Sequence, residues 1–145
     1  LVYSVDEELA KLFATGAHEG QVDKSGEPYI LHPQRVASRM DRPSRAVVAW
    51  LHDVVEDTDV TLQRIEELFG DGTAEAVDAI THKKGESWAD YLTRVRGNEI
   101  ARAVKIADLI DNSNLSRLKE VTPKDVKRQA KYNRALIYLM DVEGE

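Results

Sequence analysis

Apolar residues in this chain recur at helical spacing, in segments bounded by glycine, proline or a residue fitted to cap a helix. That pattern predicts helix after helix. Val5 to about Glu19 is periodic, with Leu9, Leu12, Phe13 and Ala17 on one face, and Gly20 to Pro28 reads as a polar loop punctuated by Gly26. Pro33 suits the first turn of a helix running to about Met40. Arg42-Pro43 breaks it, and Ser44 is placed to cap the next helix, which carries His52-Asp53. Thr61 caps a helix through Leu62, Ile65, Leu68 and Phe69, closed by Gly70. Further helices are expected from about Thr73 to Thr81, from Trp88 to Val95 behind Ser87, and from Glu99 to Asp111 behind Asn98. The last opens at Thr122-Pro123, with Val126, Ala130, Asn133, Ile137 and Met140 on one face. No segment alternates as a strand would, no internal repeat is visible, and no long linker divides the chain. The expectation is an all-α helical bundle forming one domain over residues 1–145.

Four polar residues sit badly with that apolar pattern. His52-Asp53 follows Ala46-Val47-Val48-Ala49-Trp50-Leu51, and Asp108 lies within Ala103 to Ile110. An unpaired buried carboxylate costs several kcal/mol or changes its protonation state. Two imidazoles and two carboxylates, with His32 as the second imidazole, remove that cost by converging on a divalent cation. The set leaves the site near zero net charge, so the cation can still polarise a water or phosphate oxygen. By donor type alone, manganese, iron, nickel, cobalt and zinc are equally suited. Helical spacing places Glu56 one turn after His52 and Asp57 one turn after Asp53. It also places Asn112 one turn after Asp108 and Lys105 about one turn before it. Acids at a helix C-terminus oppose the helix dipole, so Glu56 and Asp57 are better explained by chemistry than by helix stability.

Charge and composition exclude several classes. A net charge of −6 argues against nonspecific nucleic-acid binding. With no cysteine there is neither a disulfide nor a thiolate zinc site. No apolar run approaches the roughly 20 residues of a membrane span, and the start of the chain is acidic, unlike a signal peptide. A cytoplasmic protein without membrane or nucleic-acid partners is the expectation. Cations near the polar residues, namely Lys24, Arg35, Lys105 and more distantly Lys83, Lys84 and Arg94, can still create a local field for a polyphosphate. His18 reads as a packed or hydrogen-bonded core histidine, and His82 as a helix-end cation.

Four ordered segments resemble the HD-domain phosphohydrolases, and more closely the hydrolase domain of the RelA/SpoT homologues and the small alarmone hydrolases. They are Ala17-His18-Glu19-Gly20-Gln21, Lys24 to Pro33, Leu51 to Thr58, and Val104 to Asn112. The resemblance spans roughly residues 3 to 140 and implies an HD-type helical bundle. It implies metal ligation by His32, His52, Asp53 and Asp108, and favours Mn²⁺. It implies catalytic roles for Glu56 and Asp57, which position the attacking water and shuttle its proton, and for Asn112, which orients an oxygen. Lys24, Tyr29 and Lys105 are the implied substrate contacts, with Tyr29 also suited to packing beneath its loop. The implied reaction is release of pyrophosphate from the ribose 3′ position of ppGpp or pppGpp, a phosphorylated guanine nucleotide, giving GDP or GTP.

Some positions depart from that pattern. Asp23 and Asn114 stand where the family commonly has arginine, and Leu115 where it often has a polar residue. Fewer cations should weaken recognition of a heavily anionic substrate. Two alternatives therefore stay open: an HD phosphohydrolase acting on another 2′- or 3′-phosphorylated nucleotide, and a non-catalytic alarmone-binding or antitoxin-like module. Nothing resembles the synthetase or regulatory regions of the long enzymes, so a stand-alone hydrolase, or the hydrolase part of a longer one, is expected.

Overall fold

The computed structural model describes residues 5–141, and these are all-helical apart from one isolated antiparallel bridge between Val22 and Pro28. The helices are α1 (Val5–Ala17), α2 (Leu31–Ser38), α3 (Pro43–Leu51), α4 (Val54–Asp57), α5 (Leu62–Phe69), α6 (Asp71–Ile80), α7 (Trp88–Arg96), α8 (Glu99–Asn112) and α9 (Pro123–Met140), with a 3₁₀ turn at Leu115–Arg117.

Local chemistry explains most boundaries. Thr61, Ser87 and Asn98 each accept a hydrogen bond from the backbone N–H three residues on, at Arg64, Asp90 and Ala101. Thr122 and Asp125 form a reciprocal capping box at the start of α9. Gly70 joins α5 to α6 at φ 91°, a left-handed backbone that disfavours other residues. Two starts differ from expectation. Pro43, not Ser44, opens α3, because its fixed φ fits the first helical position, and Arg42 caps without a side-chain bond. The second helix begins at Leu31, so His32 already lies in its first turn.

Helix α3 is the axis of the core. All six residues from Ala46 to Leu51 are buried, and α1, α2, α6 and α8 pack around it. Helix α8 also contacts α2, α6, α7 and α9. Helix α2 touches both α3 and α8, so the three elements nearest the expected ligands are mutually packed.

The first and last helices have the expected period but a different phase. On α1 the buried residues are Ala10 and Ala14, whereas Leu9 and Leu12 are 38% and 62% exposed. Small residues allow α1 to lie close against α3, and that close packing outweighs hydrophobicity at Leu12. On α9 the expected face faces solvent, with Val126, Ile137 and Met140 at 53%, 71% and 60% exposure. The buried stripe is Ala135 and Leu139, flanked by the half-buried Tyr132, Leu136 and Tyr138. Tyrosine can cover a core with its ring while its hydroxyl reaches outward, which a purely apolar count overlooks.

Candidate metal centre and active site

Helix α3 ends at Leu51, and His52 and Asp53 form the turn leading into α4. The expected continuous helix is thus interrupted at the two residues of interest. Both keep right-handed backbone angles, so Asp57 N still donates to Asp53 O at 2.9 Å and the one-turn spacing survives. His32, on α2, and Asp108, on α8, meet this turn. One donor atom from each of His32, His52, Asp53 and Asp108 lies within 4.8 Å of the other three. His32 Nε2 is 2.8 Å from Asp108 Oδ1 and 3.7 Å from Asp53 Oδ2; His52 Nε2 is 3.3 Å and 3.1 Å from the same two oxygens.

The opposite ring nitrogens settle how the imidazoles face. His52 Nδ1 donates to the Ala49 carbonyl at 2.7 Å, and His32 Nδ1 to Asp111 Oδ2 at 2.7 Å. Each histidine therefore turns Nε2 toward the shared centre, as outer partners do for metal-binding histidines. Separations near 3 Å suit donors that share a cation at about 2.1 Å. The residues fit a divalent metal ion.

Charges around the cluster are strongly coupled. Burial alone lowers the His32 pKa, but hydrogen bonds to Asp108 and Asp111 outweigh it and raise it to about 8. Burial likewise opposes the charged form of His52, and the Asp53 and Asp108 carboxylates reverse the shift upward. Asp53 and Asp108 both move downward despite burial, Asp53 chiefly through His52 and Asp108 chiefly through Lys105. Asp57 moves the other way. Its side chain reaches solvent, yet partial desolvation and the negative charges of Asp53 and Glu56 raise its pKa to about 6. Glu56 turns away from the cluster, accepting from the His82 backbone N–H at 2.8 Å.

Asn112 Nδ2 donates to Asp108 Oδ1 at 3.0 Å, so the amide orients Asp108 as well as lining the adjacent pocket. Lys105 does not line that pocket. Its ammonium donates to Asp108 Oδ2 at 2.8 Å and lies 5.2 Å from the Tyr91 ring centroid. Tyr29 packs between the His18 and His32 rings, and its hydroxyl donates to Asp53 Oδ2. Lys24 projects from the 20–30 loop onto the pocket wall. Arg94 is structural: it binds Glu86 at 2.6 Å and the carbonyls of Asp78 and Thr81 at 3.0 and 2.8 Å. Lys83 pairs with Asp78, and His82 stacks on Tyr91 with ring centroids 4.6 Å apart.

The pocket beside His32 is a cavity of about 340 Å³. Lys24, Arg35, Arg117 and Arg128 line it, together with Tyr29, Asn112, Leu115 and Tyr132. Asp23 and Asn114 also line it, but each side chain is engaged by its own loop. Asp23 Oδ1 accepts from Ser25 N and Glu27 N, closing a turn that Gly26 permits at φ 83°. Asn114 Oδ1 accepts from Ser116 N and Oγ.

Asp111 is the main residue missed in the sequence. It is 4% exposed and accepts from His32 Nδ1 and from Arg35 Nε and Nη2, at 2.7, 2.8 and 3.1 Å; Arg117 Nη2 lies 3.4 Å away. It thus ties a candidate ligand to two pocket cations. The signal available was a second carboxylate three residues after Asp108, on the same helical face.

Comparison with known proteins bears on family and fold. The HD domain family profile matches residues 10–89. The bifunctional (p)ppGpp synthase/hydrolase SpoT of Escherichia coli K12 is 47% identical over 77 residues, covering 50% of this chain and 11% of that protein. The guanosine-3′,5′-bis(diphosphate) 3′-pyrophosphohydrolase of Aquifex aeolicus is 33% identical over 113 residues, covering 69% of this chain and 16% of its own length. The chain therefore matches only a small part of these long relatives. A metazoan ortholog of SpoT that hydrolyses ppGpp has the same fold, with a TM-score of 0.82 over 98% of this chain and 89% of that one, at 22% identity.

Proposed function

The chain belongs to the HD domain family, and from that premise we propose that it hydrolyses the 3′-pyrophosphate of ppGpp and pppGpp with the help of a divalent metal ion. The observation that carries this reading is the junction of two features. A two-histidine, two-aspartate cluster adjoins a pocket whose walls bear Lys24, Arg35, Arg117 and Arg128, in a chain of net charge −6. A cavity of about 340 Å³ is within the size range of small-molecule sites. The lining cations outnumber the lining carboxylates Asp23 and Asp111, which in an acidic protein favours an anionic ligand. The SpoT and pyrophosphohydrolase relatives name the nucleotide class.

His32, His52, Asp53 and Asp108 would hold the ion, for which Mn²⁺ is our assignment. When bound, such an ion supplies Lewis acidity toward phosphate oxygens and acidifies water. The rest falls to the chain's own side chains. Lys105 and Asn112 fix the two oxygens of Asp108, and Tyr29 fixes Asp53. Asp57, whose carboxyl is raised above its usual range by partial burial and by the neighbouring Asp53 and Glu56 charges, is suited to accept a proton from the attacking water and to return it to the departing ribose oxygen. Water adds to the phosphorus bonded to the 3′ oxygen, that P–O bond breaks, and GDP or GTP leaves with pyrophosphate. Lys24, Arg35 and Arg117 orient the anion. No helix among the described residues is long and apolar enough to cross a membrane. A cytoplasmic setting and one domain over residues 1–145 complete the proposal.

A second reading, hydrolysis of another 2′- or 3′-phosphorylated nucleotide, is favoured by Asp23 and Asn114, which line the pocket at positions where the resemblance implies arginine. One experiment separates the two. Purified protein loaded with Mn²⁺ is offered ppGpp, pppGpp and a panel of 2′- and 3′-phosphorylated nucleotides, with products resolved chromatographically. Pyrophosphate and GDP from ppGpp support the first reading. Turnover confined to another nucleotide supports the second, and no turnover of any would leave a binding module.

A further inference from the structure

Helix α4 is a single turn, too short to hold its own shape, yet its last residues are Glu56 and Asp57. Its final carbonyl has no partner within the helix. That carbonyl, Asp57 O, instead accepts a hydrogen bond at 3.1 Å from the side chain of Gln21, which lies 36 residues earlier in the loop after α1. Gln21 Oε1 in turn lies 2.8 Å from Nδ1 of His18, a side chain only 2% exposed.

The direction of this chain of bonds is fixed by chemistry. A carbonyl oxygen only accepts, so Gln21 must offer its NH₂ to Asp57, which turns its oxygen toward His18. His18 Nδ1 must then carry the proton. Burial lowers the His18 pKa and favours the neutral ring, whose single proton then sits on Nδ1. Backbone bonds anchor the same residues: Gln21 N donates to His18 O at 3.0 Å, and Tyr29 N to Gln21 O at 2.9 Å. Gln21 is therefore held at three points, and its fourth bond reaches α4. The Tyr29 it positions is the residue whose hydroxyl binds Asp53.

Resting on the proposed hydrolysis and its use of Asp57, we propose that His18 and Gln21 are positioning residues: a strut that sets the end of α4, and with it the Asp57 carboxylate, against the metal cluster. The strut touches neither substrate nor metal. Losing its side-chain bonds should displace Asp57, while the backbone bond from Tyr29 to Gln21, and with it the Tyr29 contact to Asp53, stays in place. A displacement of about 1 Å in a catalytic group costs up to about 10²-fold in rate, so a kcat loss of about 10–10²-fold is expected.

The test compares variants that break different links. Gln21→Met removes both side-chain bonds at nearly constant volume. Gln21→Glu keeps an acceptor for His18 but has no donor for the Asp57 carbonyl. His18→Leu removes the inner bond, whereas His18→Asn carries an amide N–H where Nδ1–H stood. With Mn²⁺-loaded protein and ppGpp, Gln21→Met, Gln21→Glu and His18→Leu should each lose kcat with KM and metal content unchanged. His18→Asn should restore most of the rate. The His18→Leu/Gln21→Met double variant should be no worse than either single one. Amide hydrogen exchange supplies a readout independent of turnover. Gln21→Met should speed exchange at Asp57 and Thr58 about tenfold while Ala49 to Leu51 stay protected. Unchanged exchange there overturns the strut, whatever the substrate proves to be. So does a loss in which metal content, KM and melting temperature all move with kcat, which marks a merely structural role. Asp57→Asn, run alongside, keeps the two ideas apart. If it retains turnover, the catalytic reading of Asp57 fails; if it is inactive while Gln21→Met is normal, only the strut fails.

Discussion

Replacing Asp111 with asparagine tests how the metal centre is built. Asp111 is 4% exposed and neutralises Arg35 and Arg117 while accepting from His32. Breaking a buried ion pair by removing one partner costs about 3–5 kcal/mol. Here the loss should be smaller, about 2–3 kcal/mol, because the Arg35 and Arg117 side chains are 32% and 34% exposed and water can take over part of their solvation. For a chain of this size that corresponds to a fall of about 5–10 °C in melting temperature. The effect on the metal is separate. Asparagine has one acceptor oxygen, and the guanidinium of Arg35 competes for it. With the oxygen turned to Arg35, the amide NH₂ faces His32 Nδ1, which must then accept. The ring proton moves to Nε2, the atom that faces Asp108 at 2.8 Å, and blocks it as a ligand. Outer-partner losses of this kind reduce metal affinity about 10–100-fold. Isothermal titration of the chelated variant with Mn²⁺, beside a thermal melt, reads both effects. A folded Asp111→Asn protein that binds Mn²⁺ within about twofold of the unmodified chain would refute the tautomer argument.

Chelated protein should show a distinct pH dependence. The His32 pKa is raised from 6.5 to about 8, so its stabilisation is fully present below pH 6.5 and is lost as pH rises through 8. The rise corresponds to about 2 kcal/mol. Melting temperature in chelator should therefore fall between pH 6.5 and 8.5, and a flat or rising curve contradicts the ion-pair account. Asp57→Asn should keep its metal, measured by elemental analysis, and lose about 10²–10⁴-fold in ppGpp turnover. Glu56→Gln can still accept from the His82 amide and should lose less; equal losses in steady-state assays would show that the Glu56 carboxylate is needed as such. Ile65→Ala, at a fully buried position on α5, should destabilise the fold by about 2–5 kcal/mol in denaturant titration without changing metal content.

The sequence alone determined most of the elements, because their signals are local, but not the break between α3 and α4 at His52-Asp53. Thr61, Ser87, Asn98 and Thr122 cap the helices they precede, since a side-chain oxygen satisfies a nearby N–H in any tertiary setting. The polar residues of the cluster were legible for a related reason: His52, Asp53 and Asp108 interrupt apolar runs that have no use for charge. Phase was not local. The inward faces of α1 and α9 depend on which neighbour each helix meets, so Ala10, Ala14, Ala135 and Leu139 are buried while Leu12 and Ile137 are exposed. The outer partners were also settled only by the fold. Asp111 meets Arg35 across 76 residues, and Gln21 meets Asp57 across 36. No spacing rule links positions so far apart. They come together because α2 packs on both α3 and α8, and because the loop after α1 closes against the end of α4.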